Sequence, residues 1–198
     1  MAKRKNRNTR GKIVAAAWEL FYRQGYENTT VEEIIDASGT SRGSFYHYFD
    51  GKDALLSSLS YLFDDKYEQL METLEPGQDA FATLLYLNRE LFGMIEHTVS
   101  VELLAQMYAA QLTTRGEKHL LDRNRLYYRI LRQIVREGQE KGELRRDIPS
   151  SEIVKTYALC ERGLIYDWCI CGGEYSLREY AARMMPLFLA HIRPDGAA

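Results

Sequence analysis

Apolar residues recur at three- and four-residue spacing along almost the whole chain, the period of an amphipathic helix. Ile13, Ala16, Ala17, Leu20 and Phe21 mark one such face. They predict a first helix over 9–24, with Gly25 in the C-terminal position where a left-handed conformation closes helices. A short second helix is expected over 31–37, with Thr30 as N-cap and Glu33 three residues on, a capping box. Ser38-Gly39-Thr40 breaks it, Ser41 caps a third short helix running to about Tyr48, and Asp50-Gly51 ends that one. A long helix is expected over 52–74. After Glu75-Pro76-Gly77 come longer helices near 79–96, 100–112, 118–141, 151–171 and 177–191. Segments of alternating Val, Ile and Thr, as strands require, are absent from the sequence. The expected fold is all-α. A three-helix unit over 9–52 follows a basic, disordered tail over 1–8, and a larger helical body occupies 53–198.

Composition adds boundaries. A chain of 198 residues, 45% hydrophobic and 27% charged, can bury a core and suggests one or two domains. Its longest run without charge, 103–114, is 12 residues, short of the ~20 that a spanning helix needs. No apolar stretch follows the basic N-terminus, so a secretory signal is not expected. Three cysteines do not make a disulfide framework. The expectation is a soluble, cytoplasmic protein. The net charge of −2 looks unfavourable for a polyanionic partner. Divided along the chain it reads differently: residues 1–12 hold six cations and no acid, and the remainder holds 20 bases against 28 acids. That segregation is what a local contact with a polyanion needs.

The two short helices around Ser38-Gly39-Thr40 have helix-turn-helix spacing, in which the first helix braces and the second enters the major groove. Gly39 supplies a tight turn that residues with a β-carbon tolerate poorly. Ala37 is small enough for close approach of the helices, and Ile34, Ile35 and Phe45 are placed to pack them together.

The run Thr29-Thr30-Val31-Glu32-Glu33-Ile34, then Ala37-Ser38-Gly39, then Ser41 through Phe49, then Lys52 and Leu55-Leu56, resembles the DNA-binding domain of the TetR family. The upstream Phe21-Tyr22-Arg23-Gln24-Gly25-Tyr26 fits the same pattern. The resemblance covers roughly residues 10–60. Thr40 departs from the aliphatic residue usual there, and Ile35 from alanine; both bear on helix packing rather than on the exposed face.

The resemblance implies a sequence-specific transcriptional regulator, a ligand-responsive repressor acting as a homodimer on palindromic double-stranded DNA. Residues expected at the DNA are Thr30, Ser41, Arg42, Gly43, Ser44, Tyr46, His47 and Lys52. Arg42 can bond guanine through both arms of its guanidinium. Gly43 allows the backbone close to the groove, Ser44 reaches bases or phosphate, and Lys52 with the Thr30 cap suits phosphate. Phe45 and Phe49 read as core. Two such units on one DNA face must sit ~34–36 Å apart or a multiple of it, so the body should supply a dimer face. In the family, the last two long helices of each subunit form a four-helix bundle between subunits. Here one stripe is Val154, Ala158, Ile165 and Cys169; the other contains Tyr180, Ala181, Met184, Met185 and Phe188. Ordinary intrachain core is the alternative for both.

Ten of the 14 tyrosines lie beyond residue 60, and aromatics with polar tips suit either a satisfied core or a ligand pocket. The pocket candidates are Met107, Tyr108, Tyr127, Tyr128, Tyr157, Glu161, Leu164 and Trp168. Glu161 would either receive a cationic effector or pair with an arginine such as Arg125 or Arg129. Cys160, Cys169 and Cys171 lack zinc-ligand spacing, and buried small hydrophobes are their default; no metal or cofactor is expected beyond a small-molecule effector. His47, His97, His119 and His191 are scattered outside any catalytic pattern, so an enzyme is not expected. Alternatives within DNA binding are an effector-independent or activating regulator and a non-specific architectural protein.

Overall fold

The computed structural model describes residues 2–56, 58–74, 77–113 and 118–194, with the backbone alone for 2–8. Its helices are α1 (Ala2–Gln24), α2 (Val31–Ser38), α3 (Arg42–Tyr48), α4 (Lys52–Leu56), α5 (Leu59–Glu72), α6 (Ala80–Thr98), α7 (Val101–Thr113), α8 (Leu126–Lys141), α9 (Ser150–Ile170) and α10 (Leu177–Phe188). Short 3-10 turns cover His119–Leu121 and Ala190–Ile192. The described residues hold no strand, as the apolar spacing requires.

The chain divides into two compact units. The first comprises Met1–Tyr61 with Glu102–Leu120, the second Leu62–Val101 with Leu121–Ala198. The division falls later than the expected boundary at 52. Trp18 Nε1 donates to Ser58 Oγ at 2.8 Å, and the Arg10 guanidinium stands 5.0 Å from the centre of the Tyr61 ring. These contacts bind 58–61 to α1. The core of the first unit is Ile13, Ala17, Leu20, Phe21, Ile34, Phe45, Phe49, Leu55 and Leu56.

Three expectations change. The helix starts at Ala2, so the basic segment 2–8, expected as a disordered tail, has helical backbone. The helix expected over 52–74 is two, α4 and α5. Ser58 folds back on Leu55 through both its amide, 2.9 Å, and its hydroxyl, 2.5 Å, to the same carbonyl. A serine hydroxyl that competes for a backbone acceptor is a local helix stop. The segment expected as one helix over 118–141 is interrupted at 122–125. Asp122 Oδ1 accepts from the Asn124 amide at 2.8 Å and its carbonyl from the Arg125 amide at 3.2 Å, an Asx-stabilised turn. The breaks placed around 75–76 and 114–117 lie outside the described residues.

In the second unit α10 packs on α6 and α9, while α8 lies against α6 and α9. The crossing of α8 and α6 is close because residue 138 is glycine. A β-carbon there would overlap Ala80 Cβ and come within 3.0 Å of Leu144 Cδ1. Gly138→Ala is therefore expected to destabilise the protein by about 1–3 kcal/mol by overpacking, against the ~1 kcal/mol that alanine gains in helix propensity. Urea unfolding checks this: an unchanged midpoint would show that α6 and α8 separate freely.

Candidate DNA-binding site and buried carboxyl

The capping box at the start of α2 is present in full. Thr30 Oγ1 accepts from the Glu33 amide at 3.2 Å, and Glu33 Oε2 accepts from the Thr30 amide at 2.8 Å. The Thr30 amide first, then Gln24 Nε2 and the Thr30 hydroxyl, hold the exposed Glu33 carboxyl below its ordinary range. The turn follows at Gly39, φ 61° and ψ 31°, whose amide donates to the Asp36 and Ile35 carbonyls. A left-handed residue two positions before the next cap is the reason for glycine here. Ser41 then caps α3 through its hydroxyl, which accepts from the Ser44 amide at 3.1 Å. Phe45 and Phe49 are buried, and Ile34 packs from α2. Ala37 is exposed, so it does not carry the helix contact expected of it, and Ile35 is half-buried.

With Phe45 and Phe49 turned inwards, α3 presents Arg42, Gly43, Tyr46 and His47 to solvent, and Ser44 is half-exposed. The Arg42 guanidinium lies 5.6 Å from the centre of the Tyr46 ring. Its Nη1 meets Glu32 Oε1 at 3.1 Å, with both side chains more than 60% exposed. Such a solvated pair is worth only about 0–1 kcal/mol, so it leaves Arg42 available for a stronger partner. Lys52 is placed differently from expectation. Its Nζ donates to the Tyr26 carbonyl at 2.7 Å and the Glu27 carbonyl at 3.4 Å, and sits 4.2 Å over the Tyr26 ring. The ammonium closes the loop between α1 and α2, which makes Lys52 a clamp of the domain before any phosphate contact. Tyr26 also bonds Asp53, and burial followed by that bond pushes its hydroxyl up.

In the second unit, Glu161 is 4% exposed. Its Oε1 accepts from Asn88 Nδ2 at 2.9 Å and from the Tyr67 hydroxyl at 3.0 Å; its Oε2 accepts from the Tyr127 hydroxyl at 2.7 Å. Tyr157, one turn earlier on α9, donates to the Leu84 carbonyl at 2.9 Å and lies 3.3 Å from the Tyr67 hydroxyl. Burial pushes the Glu161 carboxyl up, and the bonds from Asn88 and the tyrosines pull it partly back. The same burial, with Glu161 beside them, raises Tyr67, Tyr127 and Tyr157. Arg125, offered as a partner of Glu161, instead forms a two-pronged pair with Asp64, Nη2 to Oδ1 at 2.7 Å and Nε to Oδ2 at 3.1 Å. Arg129 is exposed.

The structure thus brings together four of the eight pocket candidates in a row on α9, Tyr157, Glu161, Leu164 and Trp168, with Tyr127 at the carboxyl. It fills the space between them with Tyr67 and Asn88, neither foreseen. Their positions on α5 and α6 carry no local mark of a tertiary partner. Met107 and Tyr108 belong to the first unit, Met107 buried and Tyr108 half-buried. Tyr128 turns from the carboxyl: Arg162 Nη1 donates to its hydroxyl at 3.2 Å.

The stripes named for a dimer face need correction. Val154, Ala158, Ile165, Ala181 and Met185 are 5% exposed or less within the single chain. They are core of this subunit and have no surface to offer. Each of three positions in the first stripe is followed by the residue that faces out: Leu159 at 59%, Tyr166 at 51% and Ile170 at 65%. One residue turns a helix by ~100°, which moves the stripe to the neighbouring sector. On α10, Tyr180 and Met184 are half-buried, and Leu187 and Phe188 are exposed. Cys160, Cys169 and Cys171 are free and half-buried; burial pushes the Cys169 thiol up to about 11, away from thiolate chemistry. The described residues contain no group of side chains able to hold a metal ion and no helix long and apolar enough to cross a membrane.

A capped helix, a left-handed glycine turn and a second helix with a cation and a tyrosine exposed define a helix-turn-helix DNA-binding protein. Residues 13–59 match the family model of bacterial regulatory proteins, tetR family. The chain resembles this family of bacterial regulators over that segment, which takes in α2 and α3. Its relatives extend the likeness beyond that segment. The HTH-type transcriptional repressor KstR2 of Rhodococcus jostii is 28% identical over 91% of this chain and 89% of its own. KstR2 of Mycobacterium tuberculosis is 23% identical over 94% of each. Among solved structures, the Thermus thermophilus repressor FadR in complex with lauroyl-CoA has a TM-score of 0.74 at 25% identity, covering 96% of this chain and 98% of that one. FadR of Bacillus subtilis with stearoyl-CoA shares the fold, with a TM-score of 0.60 at 20% identity, 92% of this chain and 98% of that one being covered.

The carboxyl has a measurable consequence. A raised pKa in the fold means that the native state holds its proton where the unfolded chain has released it, so this group's contribution falls as pH rises. The fall begins near the ordinary value of 4.5 and ends at the higher folded value. Melting curves of the wild type and Glu161→Gln should differ by an amount that shifts in the variant's favour across that window. A pH-independent difference would show that Glu161 stays ionised throughout.

Proposed function

We propose that the protein is a homodimeric repressor that binds a palindromic operator through α3 and leaves it when an effector of the acyl-coenzyme A class binds the second unit. The exposed row Arg42, Gly43, Tyr46 and His47 on a helix anchored by Phe45 and Phe49 carries the DNA-binding part of the reading. Arg42 reads a base; Ser44, Tyr46 and His47 add base or backbone contacts; Ser41 and Thr30 set the helix starts beside phosphates. Two relatives are repressors named KstR2, and two solved neighbours hold lauroyl-CoA and stearoyl-CoA, which supports both the repressor role and the effector class.

The dimer uses the outward sectors of α9 and α10. Leu159, Tyr166 and Ile170, with Gly163 between them, continue on α10 in Leu187 and Phe188. An exposed apolar surface of this kind marks an interaction face. Two helices from each subunit then make a four-helix contact.

Operator selected from a random DNA pool is expected to be palindromic. Arg42→Ala should weaken binding to it by about 1–3 kcal/mol and relax preference at one base pair of each half-site. Equal loss on all sequences would instead make Arg42 a phosphate contact. Leu159→Glu with Ile170→Glu should yield monomers by sedimentation, with the helical content retained because both side chains already face water. A dimer that survives both changes would place the interface elsewhere.

A further inference from the structure

Between α8 and α9 lies an open groove of about 280 Å³. Its rim is unusual for a chain with net charge −2: Arg123, Arg132, Lys155 and Arg162 line it, and no acid does. Arg123 and Lys155 are exposed, Arg132 and Arg162 half-buried. The two half-buried guanidiniums are held in place by neutral groups. Arg132 Nη1 donates to the Arg123 carbonyl at 3.0 Å, and Arg162 Nη1 to the Tyr128 hydroxyl at 3.2 Å. Neither bond neutralises its charge. Four cations kept together without acids cost repulsion, and that arrangement is explained by an anion that relieves it.

A further feature points to phosphate. The start of the 21-residue helix α9 opens on the groove at Ser151, and its N-cap, Pro149, supplies no side-chain cap. Helix starts and guanidiniums both suit phosphate, although the Glu152 and Ile153 amides of α9 already donate to the Pro149 carbonyl. The floor is apolar, formed by Tyr128, Val154 and Ala158, so the groove is a rimmed hollow rather than a merely charged surface. At about 280 Å³ it is smaller than the ~300–1,000 Å³ of sites that enclose a whole drug-sized ligand. It suits one end of a longer molecule.

We propose that this groove binds the phosphate-bearing head of the effector, with Arg123, Arg132, Lys155 and Arg162 as its anion ligands. The identity of the effector as an acyl-coenzyme A rests on the reading above; the anion site rests on the groove. Arg132 and Lys155 reach phosphate from opposite helices, so the ligand bridges α8 and α9 and holds them at one separation. Arg162 orients through Tyr128, which meets the ligand as floor of the groove rather than at the carboxyl.

The test is calorimetric titration of the full-length protein with coenzyme A, 3′-dephospho-coenzyme A and the free fatty acid, in the wild type and in Arg132→Gln with Lys155→Gln. Coenzyme A should bind the wild type, and the double variant should lose at least about tenfold, the effect of one charge-assisted contact. Binding should weaken with added salt, and the dephospho form should bind less tightly than coenzyme A. A single charge reversal, Lys155→Glu, should deepen the loss while melting temperature and operator affinity stay at wild-type values. Coenzyme A affinity equal in wild type and variants, or no coenzyme A binding at all, would overturn the groove as the site. So would a parallel drop in operator affinity, which would assign these cations to DNA. If coenzyme A binds through the groove but lauroyl-CoA does not release operator, the anion site stands and the proposed effector role falls. If lauroyl-CoA releases the variants from operator as readily as the wild type, the effector role stands and the groove falls.

Discussion

A carboxyl at 4% exposure with three neutral donors on its oxygens is the constraint on which the second unit is built. Burying a charge without a cation costs several kcal/mol, and burying a polar group without a hydrogen bond still costs a large fraction of a domain's stability. Glu161 is tolerated only because α5, α6 and α8 each deliver one donor to it, through Tyr67, Asn88 and Tyr127. Tyr127 serves Oε2, while Tyr67 and Asn88 share Oε1. The four helices are therefore fixed in register by polar geometry as well as by apolar burial, which is non-directional. Arg125 and Asp64 reinforce the arrangement at one end. Asp64 Oδ1 also accepts the Tyr127 amide at 3.3 Å, doing for α8 what its own N-cap residue does not.

The first unit is governed by different physics. It is small, and its helices α2 and α3 have eight and seven residues, too short to persist alone. They hold because each start is capped by its own side chains and each inner face is anchored by Ile34 or Phe45. Lys52 shows how such a unit uses a cation for structure: the backbone carbonyls of Tyr26 and Glu27 would otherwise face an unclosed loop. Rigidity comes from these local bonds, and it leaves the outer side of α3 free of any duty in folding. Arg42 and Tyr46 can then vary at little cost to the fold.

What could be read from the sequence follows from how local each cause is. The capping box, the Gly39 turn, the Ser41 cap and the inward Phe45 depend on residues within a few positions of one another, and their spacing states them. The break at Ser58 depends on a hydroxyl that chooses its own turn and a distant Trp18; the pattern of apolar residues continues unbroken through it. The partners of Glu161 are tertiary. Spacing put Tyr157, Glu161, Leu164 and Trp168 on one face, but nothing local tells that Tyr67 and Asn88 fill the space before them. Arg125 shows the same limit, since an acid and an arginine in need of partners can be paired in more than one way.

The case of α9 shows how finely one helix can divide its surface. Ile153, Tyr157, Glu161, Leu164 and Trp168 occupy one arc and form the core. Ser151, Lys155 and Arg162 occupy the next, beside Val154 and Ala158, and line the groove against α8. Leu159, Tyr166 and Ile170 occupy a third and face out. With ~100° between successive residues, a stripe displaced by one position falls in a different arc. Spacing alone thus fits Ala158, Ile165 and Cys169 as well as their immediate successors, which carry the exposed apolar surface. It also gives α9 a part in every proposed task of the second unit. A ligand drawn to the cationic arc, a partner seated on the apolar arc and the buried carboxyl share one rigid rod, so a rotation of α9 that favours one must be felt by the other two. Coupling of ~1–3 kcal/mol, enough for a 5–150-fold change in affinity, needs no longer path than this.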